Sequence, residues 1–356
     1  MRKIICLILT LFMVLSLFVS CNDTADEPEN TTENMTKETT ESTTMDLNSN
    51  SALDFEYEIN SDKTGILINK YVGSSVNVVI PSYIENLPVV SIKGLPDETY
   101  PTAIATGTFE GSNIRTVLIP ETVKGIGARA FKDCGELTTV TISPNSNLTQ
   151  INGRAFEKCV KLEKIDFSKT QLKKIGTLAF SGCIALKEVI FSDTLESIKE
   201  RAFYECSALL EVDFPESLTI IEGGGFAYCT SLKCIEFPTK LDLTSLGESI
   251  FHDVPALERV VFKEGREDIT GYALIQTDAS IEVVVPKTVM RFSPLPFLVP
   301  SSTNIKINFL GNAPEIVEYN DPDWFDNVTI YYSPETTGWE TFAWKDKLEM
   351  KTITTN

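Results

Sequence analysis

Five cysteines recur in the middle of the chain, each three residues after a phenylalanine. Cys134, Cys159, Cys183, Cys206 and Cys229 are 25, 24, 23 and 23 residues apart. This spacing lacks the close C-x-x-C pairing of zinc sites, so we expect no metal. Disulfides between neighbouring repeat units are one alternative, because units about 5 Å apart would bring the Cα atoms within bridging range. Equivalent positions project in parallel, however, and we favour a reduced, buried ladder of small apolar groups.

Two other residues could carry chemistry. Cys234 falls on the outward register between Leu232 and Ile235, and we expect an exposed, reactive thiol there. His252 is the single histidine, and catalysis would require a nucleophile and a carboxylate that converge on its ring. The segment FHDVPAL sets no such partners apart, so we expect an exposed turn histidine. We assign no catalytic residue and no cofactor, and we expect that the protein is not an enzyme.

The phenylalanines reveal a repeat with a period of about 23 residues. They follow a small residue in the segments ARAFKDCGELTTVTIS, GRAFEKCVKLEKIDFS, TLAFSGCIALKEVIFS, ERAFYECSALLEVDFP and GGGFAYCTSLKCIEFP. The period continues through Leu274 to Phe297, and Val328 and Ile330 repeat the short form near the end. A unit of this size cannot close its own core, so neighbouring units must stack.

The repeat predicts an α/β solenoid, a right-handed superhelix with one long parallel sheet and about ten coils of roughly 23 residues. The V-x-I segments are its strands, and residues between the buried positions point outward. We expect the A-F-x-x-C segment to turn the chain as a single helical or 3₁₀ turn.

The motif I-G-x-x-A-F-x-x-C-x-x-L-x-x-V-x-I-P, seen in IGARAFKDCGELTTVTIS, resembles the BspA-like family of leucine-rich repeat surface proteins. The resemblance covers roughly residues 54–345, including the closing GNAP and TIYYSPETTGW segments. It implies the leucine-rich repeat fold and a surface protein that adheres to host proteins or to other cells. It does not name a partner.

The N-terminus has the features of a lipoprotein export signal. Arg2 and Lys3 precede the uncharged apolar run Ile4–Val19, and Ser20 stands directly before Cys21. This pattern predicts a signal peptide over residues 1–20 and lipid on Cys21. We therefore expect an extracytoplasmic protein, lipid-anchored to the outer membrane or cell surface.

The anchor is followed by an acidic tether. Between Asn22 and Asn50 there are eight acidic residues, one lysine and no aromatic residue, a composition that is typical of disorder. We divide the chain into the lipidated cysteine with its tether at 21–50, a solenoid with an N-terminal cap at 51–310, and a terminal repeat with a C-terminal cap at 311–356. The whole chain has a net charge of -19, which argues against a nucleic-acid partner.

The outward positions of the strands are the predicted binding face. On neighbouring coils, acidic residues gather at positions where like charges repel, and a basic protein partner or a calcium ion would relieve that repulsion. A solvated face that tolerates the repulsion is the alternative. The candidate binding residues are Lys164, Asp166, Glu188, Glu211, Asp213, Glu236 and Arg259.

The predicted function is interaction with another protein, of the host matrix or of another cell surface, through this face. A glycan-binding surface module is the alternative. Such a module needs aromatic platforms, which the central outward positions lack but Trp324, Trp339 and Trp344 could supply. We favour a C-terminal cap for these tryptophans, because the last coil must shield its open core.

Overall fold

The computed structural model describes residues 49–94, 106–243, 250–270, 275–276, 280–293, 297–298, 304–317 and 327–353. The predicted signal peptide, Cys21 and the tether as far as residue 48 lie outside the described residues. Within the described part of the chain, no helix is long and apolar enough to span a membrane.

The described residues form 27 strands and two short 3₁₀ turns, the latter at Ala52–Asp54 and Trp339–Thr341. In chain order the strands are β1 (Phe55–Ile59), β2 (Ile66–Tyr71), β3 (Asn77–Val79), β4 (Tyr83–Ile84), β5 (Leu87–Ile92), β6 (Thr116–Ile119), β7 (Gly125–Ile126), β8 (Thr139–Ile142), β9 (Gln150–Ile151), β10 (Lys164–Asp166), β11 (Lys174–Ile175), β12 (Glu188–Ile190), β13 (Ser197–Ile198), β14 (Glu211–Asp213), β15 (Ile220–Ile221), β16 (Cys234–Phe237), β17 (Phe251–His252), β18 (Arg259–Phe262), β19 (Asp268–Ile269), β20 (Ile275–Gln276), β21 (Ile281–Val285), β22 (Arg291–Phe292), β23 (Phe297–Leu298), β24 (Ile305–Phe309), β25 (Glu315–Ile316), β26 (Val328–Tyr332) and β27 (Glu349–Thr352).

The V-x-I segments form the front sheet, as predicted. Its strands run parallel in two ladders, β12-β10-β8-β6-β3 and β14-β16-β18-β21-β24-β26-β27. Alternate side chains point inward, so that Val117 and Ile119 are fully buried while Thr116 and Leu118 are partly exposed. The predicted single sheet is therefore divided, because β12 and β14 lie side by side without a hydrogen-bonded ladder.

In each coil, a short strand follows the turn that leaves the front sheet. These short strands pair with one another and form the side sheet. It joins β1-β2-β5-β7-β9-β11-β13-β15, and further along the chain β19-β22-β25. The isoleucine of each I-G motif is its buried residue, as at Ile126 and Ile175. At its N-terminal end, β1 and β2 form an antiparallel hairpin.

The A-F-x-x-C segments form the third side, which we call the turn stack. Each segment contains hydrogen bonds from residue i+3 to residue i, such as Cys134 N–H to Phe131 O at 3.1–3.3 Å in successive coils. The expected helical or 3₁₀ turn is not present, because two residues per segment are left-handed, as at Arg129 (φ 62°) and Asp133 (φ 58°). These reversals aim N–H groups at the next coil, where Phe131 N–H donates to Ala155 O at 2.7 Å. The solenoid is therefore nearly free of helix.

Phenylalanine rings fill the centre of the array. Seven rings, Phe109, Phe131, Phe156, Phe180, Phe203, Phe226 and Phe251, stack with centroids 4.8 to 5.6 Å apart, and each is at most 1% exposed. Beyond Phe251 the turn stack continues as strands, with Phe251 paired to Ile275 and Ile275 to Phe297. The period thus passes through Ile275 rather than the predicted Leu274. The prediction that degenerate copies extend the array is confirmed.

One coil departs from the aliphatic core. Where six other coils bury a valine or leucine (Val123, Leu148, Leu172, Leu195, Leu218 and Leu241), the next coil buries Arg266, which is 7% exposed. Its Nη2 donates to the carbonyl oxygens of Pro238 at 3.0 Å and Leu241 at 2.6 Å, and its Nη1 donates to that of Asp268 at 3.2 Å. Burial lowers the pKa of the guanidinium, and neighbouring carboxylates partly oppose this.

Candidate functional site

The structure places the candidate binding residues on two parts of the front sheet. Lys164, Asp166 and Glu188 lie on β10 and β12, and the other four residues, Glu211, Asp213, Glu236 and Arg259, lie on β14, β16 and β18. The break between β12 and β14 separates the two groups. Within each group the outward residues lie side by side, since Lys164 is opposite Glu188 and Asp213 is opposite Glu236.

In the first group, a lysine neutralises Glu188. Lys164 Nζ lies 2.8 Å from Glu188 Oε1. Lys187, the residue directly before β12, has its Nζ 3.0 Å from Glu163 Oε2. Asp166 accepts a hydrogen bond from the Ser168 N–H at 2.8 Å. Both partners of the Lys164–Glu188 pair are about half exposed, so the pair contributes no more than about 1 kcal/mol. Lys164 therefore offsets repulsion at Glu188.

In the second group, a lysine from a distant coil relieves part of the repulsion. Lys263 Nζ lies 3.6 Å from Asp213 Oδ1 and 3.5 Å from Glu216 Oε1. Partial burial opposes ionisation of Glu216. Hydrogen bonds from the Thr239 hydroxyl and N–H, at 2.9 and 3.1 Å, and the charge of Lys263 nonetheless hold its pKa below the ordinary value. Sequence reasoning missed Lys263.

Two carboxylates of the second group remain unneutralised. Among the described residues, neither Glu211 nor Glu236 makes an ion pair, and Arg259 is directed instead to Glu282, 3.5 Å away. Cys234 lies between Glu211 and Arg259 on the adjacent strands. It is only 8% exposed, so the predicted exposed thiol is wrong.

A cleft opens on the front sheet beside the first group. It has a volume of about 530 Å³, and its lining includes Thr138, Thr139, Thr141, Lys164 and Asp166. Strands β6 and β8 pair at four positions, but β8 and β10 pair at one. The sequence explains this divergence: Ile142 and Leu148 are six positions apart, against four between Ile119 and Val123. The longer turn spreads the strands.

The cleft offers hydroxyls and both signs of charge. Glu163 and Lys169 complete its charged lining, and the described lining contains no His, Cys or Ser that could act as a nucleophile or as its imidazole base. Among the described residues, no group of three or more His, Cys, Asp or Glu side chains is placed to hold a metal ion. The arrangement is suited to polar contacts with a ligand.

The cysteine ladder has the predicted form. All five thiols are free and fully buried. Burial raises the pKa of Cys134 to about 11 and those of Cys183 and Cys229 to about 12, and it also raises those of Cys159 and Cys206. Such thiols are poor nucleophiles, because the thiolate is the reactive form. The ladder is structural.

The remaining aromatic candidates lie in different surroundings. Trp339 and Trp344 are 5% and 1% exposed and pack with Phe309 and Phe342 near the C-terminal end of the described residues. They cannot serve as an exposed glycan platform, and Trp324 lies outside the described residues. His252 is half-buried rather than exposed, with its ring edge-on to Tyr228 at 5.2 Å.

A comparison with known protein families identifies the repeat. The model of the BspA type leucine rich repeat region matches with six copies, over residues 102–209 and 173–304. Together these spans run from 102 to 304, more than half of the 356 residues. The chain belongs to the BspA-type leucine-rich repeat family. No curated relative matches the chain.

Several solved leucine-rich repeat structures are similar to this one. The T. pallidum leucine rich repeat protein is 23% identical, covering 67% of this chain and 86% of its own, with a TM-score of 0.35. A leucine rich cell surface protein from Faecalibacterium prausnitzii is 17% identical over 86% and 95% of the two chains, with a TM-score of 0.34. The pneumococcal vaccine antigen PcpA is 18% identical over 85% and 98%, with a TM-score of 0.43. At these values the likenesses carry no functional assignment.

Proposed function

We propose that this leucine-rich repeat protein acts at the cell surface by binding another protein through its front sheet. The observation that supports the proposal most directly is the second group of front-sheet residues, where Glu211 and Glu236 present carboxylates without ion pairs among the described residues. A partner with basic side chains would neutralise them. Membership of the BspA-type family is consistent with an interaction role.

The cleft beside Lys164 and Asp166 gives the front sheet a concave surface for a ligand. Thr138, Thr139 and Thr141 can donate or accept hydrogen bonds, and Lys169 makes no ion pair among the described residues. A polypeptide that lies across the front sheet would meet this polar cleft at one end and the acidic group at the other. Adhesion to a host matrix or to another cell is the purpose that we propose for such binding.

A glycan-binding module is the second candidate for the front sheet. The hydroxyl-rich lining of the cleft favours it, since a sugar is recognised by many hydrogen bonds. The burial of Trp339 and Trp344 counts against it, because these rings cannot stack on a sugar. Protein binding is therefore the preferred function.

Anchoring through Cys21 is part of the proposal. It is supported by the charged start, the apolar run and the serine before Cys21. Growth of cells with an alkyne-labelled fatty acid tests it: the parent protein should take up label and sediment with membranes, and Cys21→Ala should do neither. Uptake of label by Cys21→Ala would refute lipidation at this residue.

The binding face is tested by capture from extracellular-matrix and cell-surface extracts, with bound proteins identified by mass spectrometry. Glu211→Lys/Glu236→Lys should lose a partner that the parent protein holds. The matched control is Asp193→Lys/Glu267→Lys, which changes the charge equally at exposed residues off the front sheet. If both variants lost the partner, or if neither did, the second group would not be the binding site.

A further inference from the structure

A row of aromatic side chains crosses the turn stack on three successive coils. The ring centroids of Tyr204 and Tyr228 are 5.1 Å apart, and those of Tyr228 and His252 are 5.2 Å apart, both in edge-to-face contact. All three side chains are partly exposed. The row therefore lies outside the buried core.

The backbone at Tyr228 is unusual for a bulky aromatic residue. Tyr228 has φ 61°, a left-handed conformation that is unfavourable for a bulky residue. The same turn position is held by Asp133, Lys158, Gly182, Glu205 and Asp253 in other coils. Aspartate and glycine adopt this conformation more readily. A tyrosine at this position is therefore less favourable than aspartate or glycine, and it does not fill the core.

Two carboxylates flank the row. Glu205 precedes Tyr228 by one coil at the same turn position and Asp253 follows it by one coil, as the hydrogen bonds from Glu205 N–H to Ala227 O and from Tyr228 N–H to His252 O show. Within the described residues, neither carboxylate makes an ion pair. The hydroxyls of Tyr204 and Tyr228 likewise have no hydrogen-bond partner there. The row thus combines ring surface with acceptors for a cation.

The chain itself shows that a guanidinium fits against this row. The Arg201 guanidinium carbon lies 5.8 Å from the centroid of the Tyr204 ring. Space for its side chain exists because the next coil has Gly224, where an added Cβ would lie 3.1 Å from Arg201 Cγ. A cation over the face of a tyrosine is stabilised by the ring electrons.

We propose that Tyr204, Tyr228 and His252, with Glu205 and Asp253, form a docking site for a basic segment of a partner protein. An arginine or lysine of that segment would lie against Tyr228 and between the two carboxylates. Charge favours this ligand over a neutral sugar, because the aromatic row carries two unneutralised acids on a chain of net charge -19. The site is on a different side of the coil from the front sheet and does not depend on the function proposed there.

The test uses the full-length chain in detergent and an acetylated, amidated hexa-arginine peptide with a fluorophore. Binding is followed by fluorescence anisotropy, and hexa-citrulline serves as the uncharged analogue. The parent protein should bind hexa-arginine and not hexa-citrulline. Tyr228→Asn keeps a residue that tolerates the left-handed conformation, and it should weaken binding about 5-fold or more through loss of the cation–ring contact. Glu205→Gln/Asp253→Asn should weaken it further.

The control for non-specific electrostatic attraction is Asp193→Asn/Glu267→Gln, which removes two negative charges away from the row. Its affinity for hexa-arginine should stay within about 2-fold of that of the parent protein at 0.15 M salt. Equal losses in the two double variants would overturn the proposal. So would unchanged affinity in Tyr228→Asn, or binding of a neutral N-acetylglucosamine trimer in preference to hexa-arginine. The front-sheet variant Glu211→Lys/Glu236→Lys should retain the Tyr228-dependent part of binding, which separates failure of one proposal from failure of the other.

Discussion

The Cys183 thiol donates a hydrogen bond to the carbonyl oxygen of Phe156 in the preceding coil, with Sγ 3.1 Å from the oxygen. The same contact recurs at the other four ladder cysteines, with distances of 3.0 to 3.3 Å. Each thiol therefore fills a small apolar space and also ties one coil to the next. This explains why cysteine occupies the position in five coils.

Replacement of Cys183 separates these two roles. Cys183→Ala should lower the free energy of unfolding by about 1–2 kcal/mol, through a small cavity and a lost hydrogen bond. Cys183→Ser should cost more, because the shorter C–O bond leaves a buried hydroxyl too far from Phe156 O for a good hydrogen bond. Urea unfolding midpoints measure both. A serine variant as stable as the parent protein would show that the donor matters and the sulfur volume does not.

The buried thiols should make the array sensitive to alkali. In the unfolded chain thiols ionise from about pH 9, whereas in the fold the pKa of Cys183 is raised to about 12 by burial. The raised pKa stabilises the fold fully below about pH 8, and this stabilisation is lost as the pH rises from 9 toward 12. The fall in urea midpoint between pH 8 and pH 10.5 should be smaller in Cys183→Ala than in the parent protein. Equal falls would mean that Cys183 ionises alike in both states.

Much of this architecture could be predicted from the sequence, because each position of the repeat corresponds to the same structural position in every coil. Phe131, Leu137 and Ile151 each recur once per coil, and all are fully buried. The helical turn was the main error, although Gly182 and Gly224, which share turn positions with left-handed residues in other coils, were a signal. Predictions that depend on neighbours failed more often. Lys263 reaches Asp213 across two coils, and no local pattern marks such a contact.

The phenylalanine stack should carry stability along the array. Phe180 lies between Phe156 and Phe203, with both centroids 5.1 Å away. Phe180→Ala should cost about 3–5 kcal/mol, and Phe180→Leu about 1–2. Because each coil packs mainly against its two neighbours, the alanine variant should unfold in two steps, with hydrogen exchange lost first around the central coils. Uniform loss of protection along the chain would contradict nearest-neighbour coupling.

Tyr228 should be a position where function lowers stability. Tyr228→Gly removes the cost of the left-handed conformation, so the unfolding free energy should rise by about 0.5–1 kcal/mol. The same change should abolish the ring-dependent binding of hexa-arginine. Gly182, at the equivalent position, provides the matched comparison: Gly182→Tyr should destabilise the array and should create no binding. A Tyr228→Gly protein less stable than the parent would show that the ring contacts with Tyr204 and His252 outweigh the backbone cost.

Replacement of Arg266 shows whether its hydrogen bonds stabilise the turn, or whether it only fills a position that is aliphatic in other coils. Arg266→Leu restores the residue type of the other coils and gains about 2 kcal/mol from burial. It also leaves the carbonyl oxygens of Pro238 and Leu241 without their donor, at a cost of about 1–3 kcal/mol each. The second effect is larger, so the unfolding free energy should fall by about 1–3 kcal/mol, and by more in Arg266→Ala, which lacks the compensating burial. Leu218→Ala, in a coil without a buried charge, calibrates the aliphatic contribution. If Arg266→Leu proved more stable than the parent protein, the carbonyls would have other donors and the arginine would not be what holds this turn.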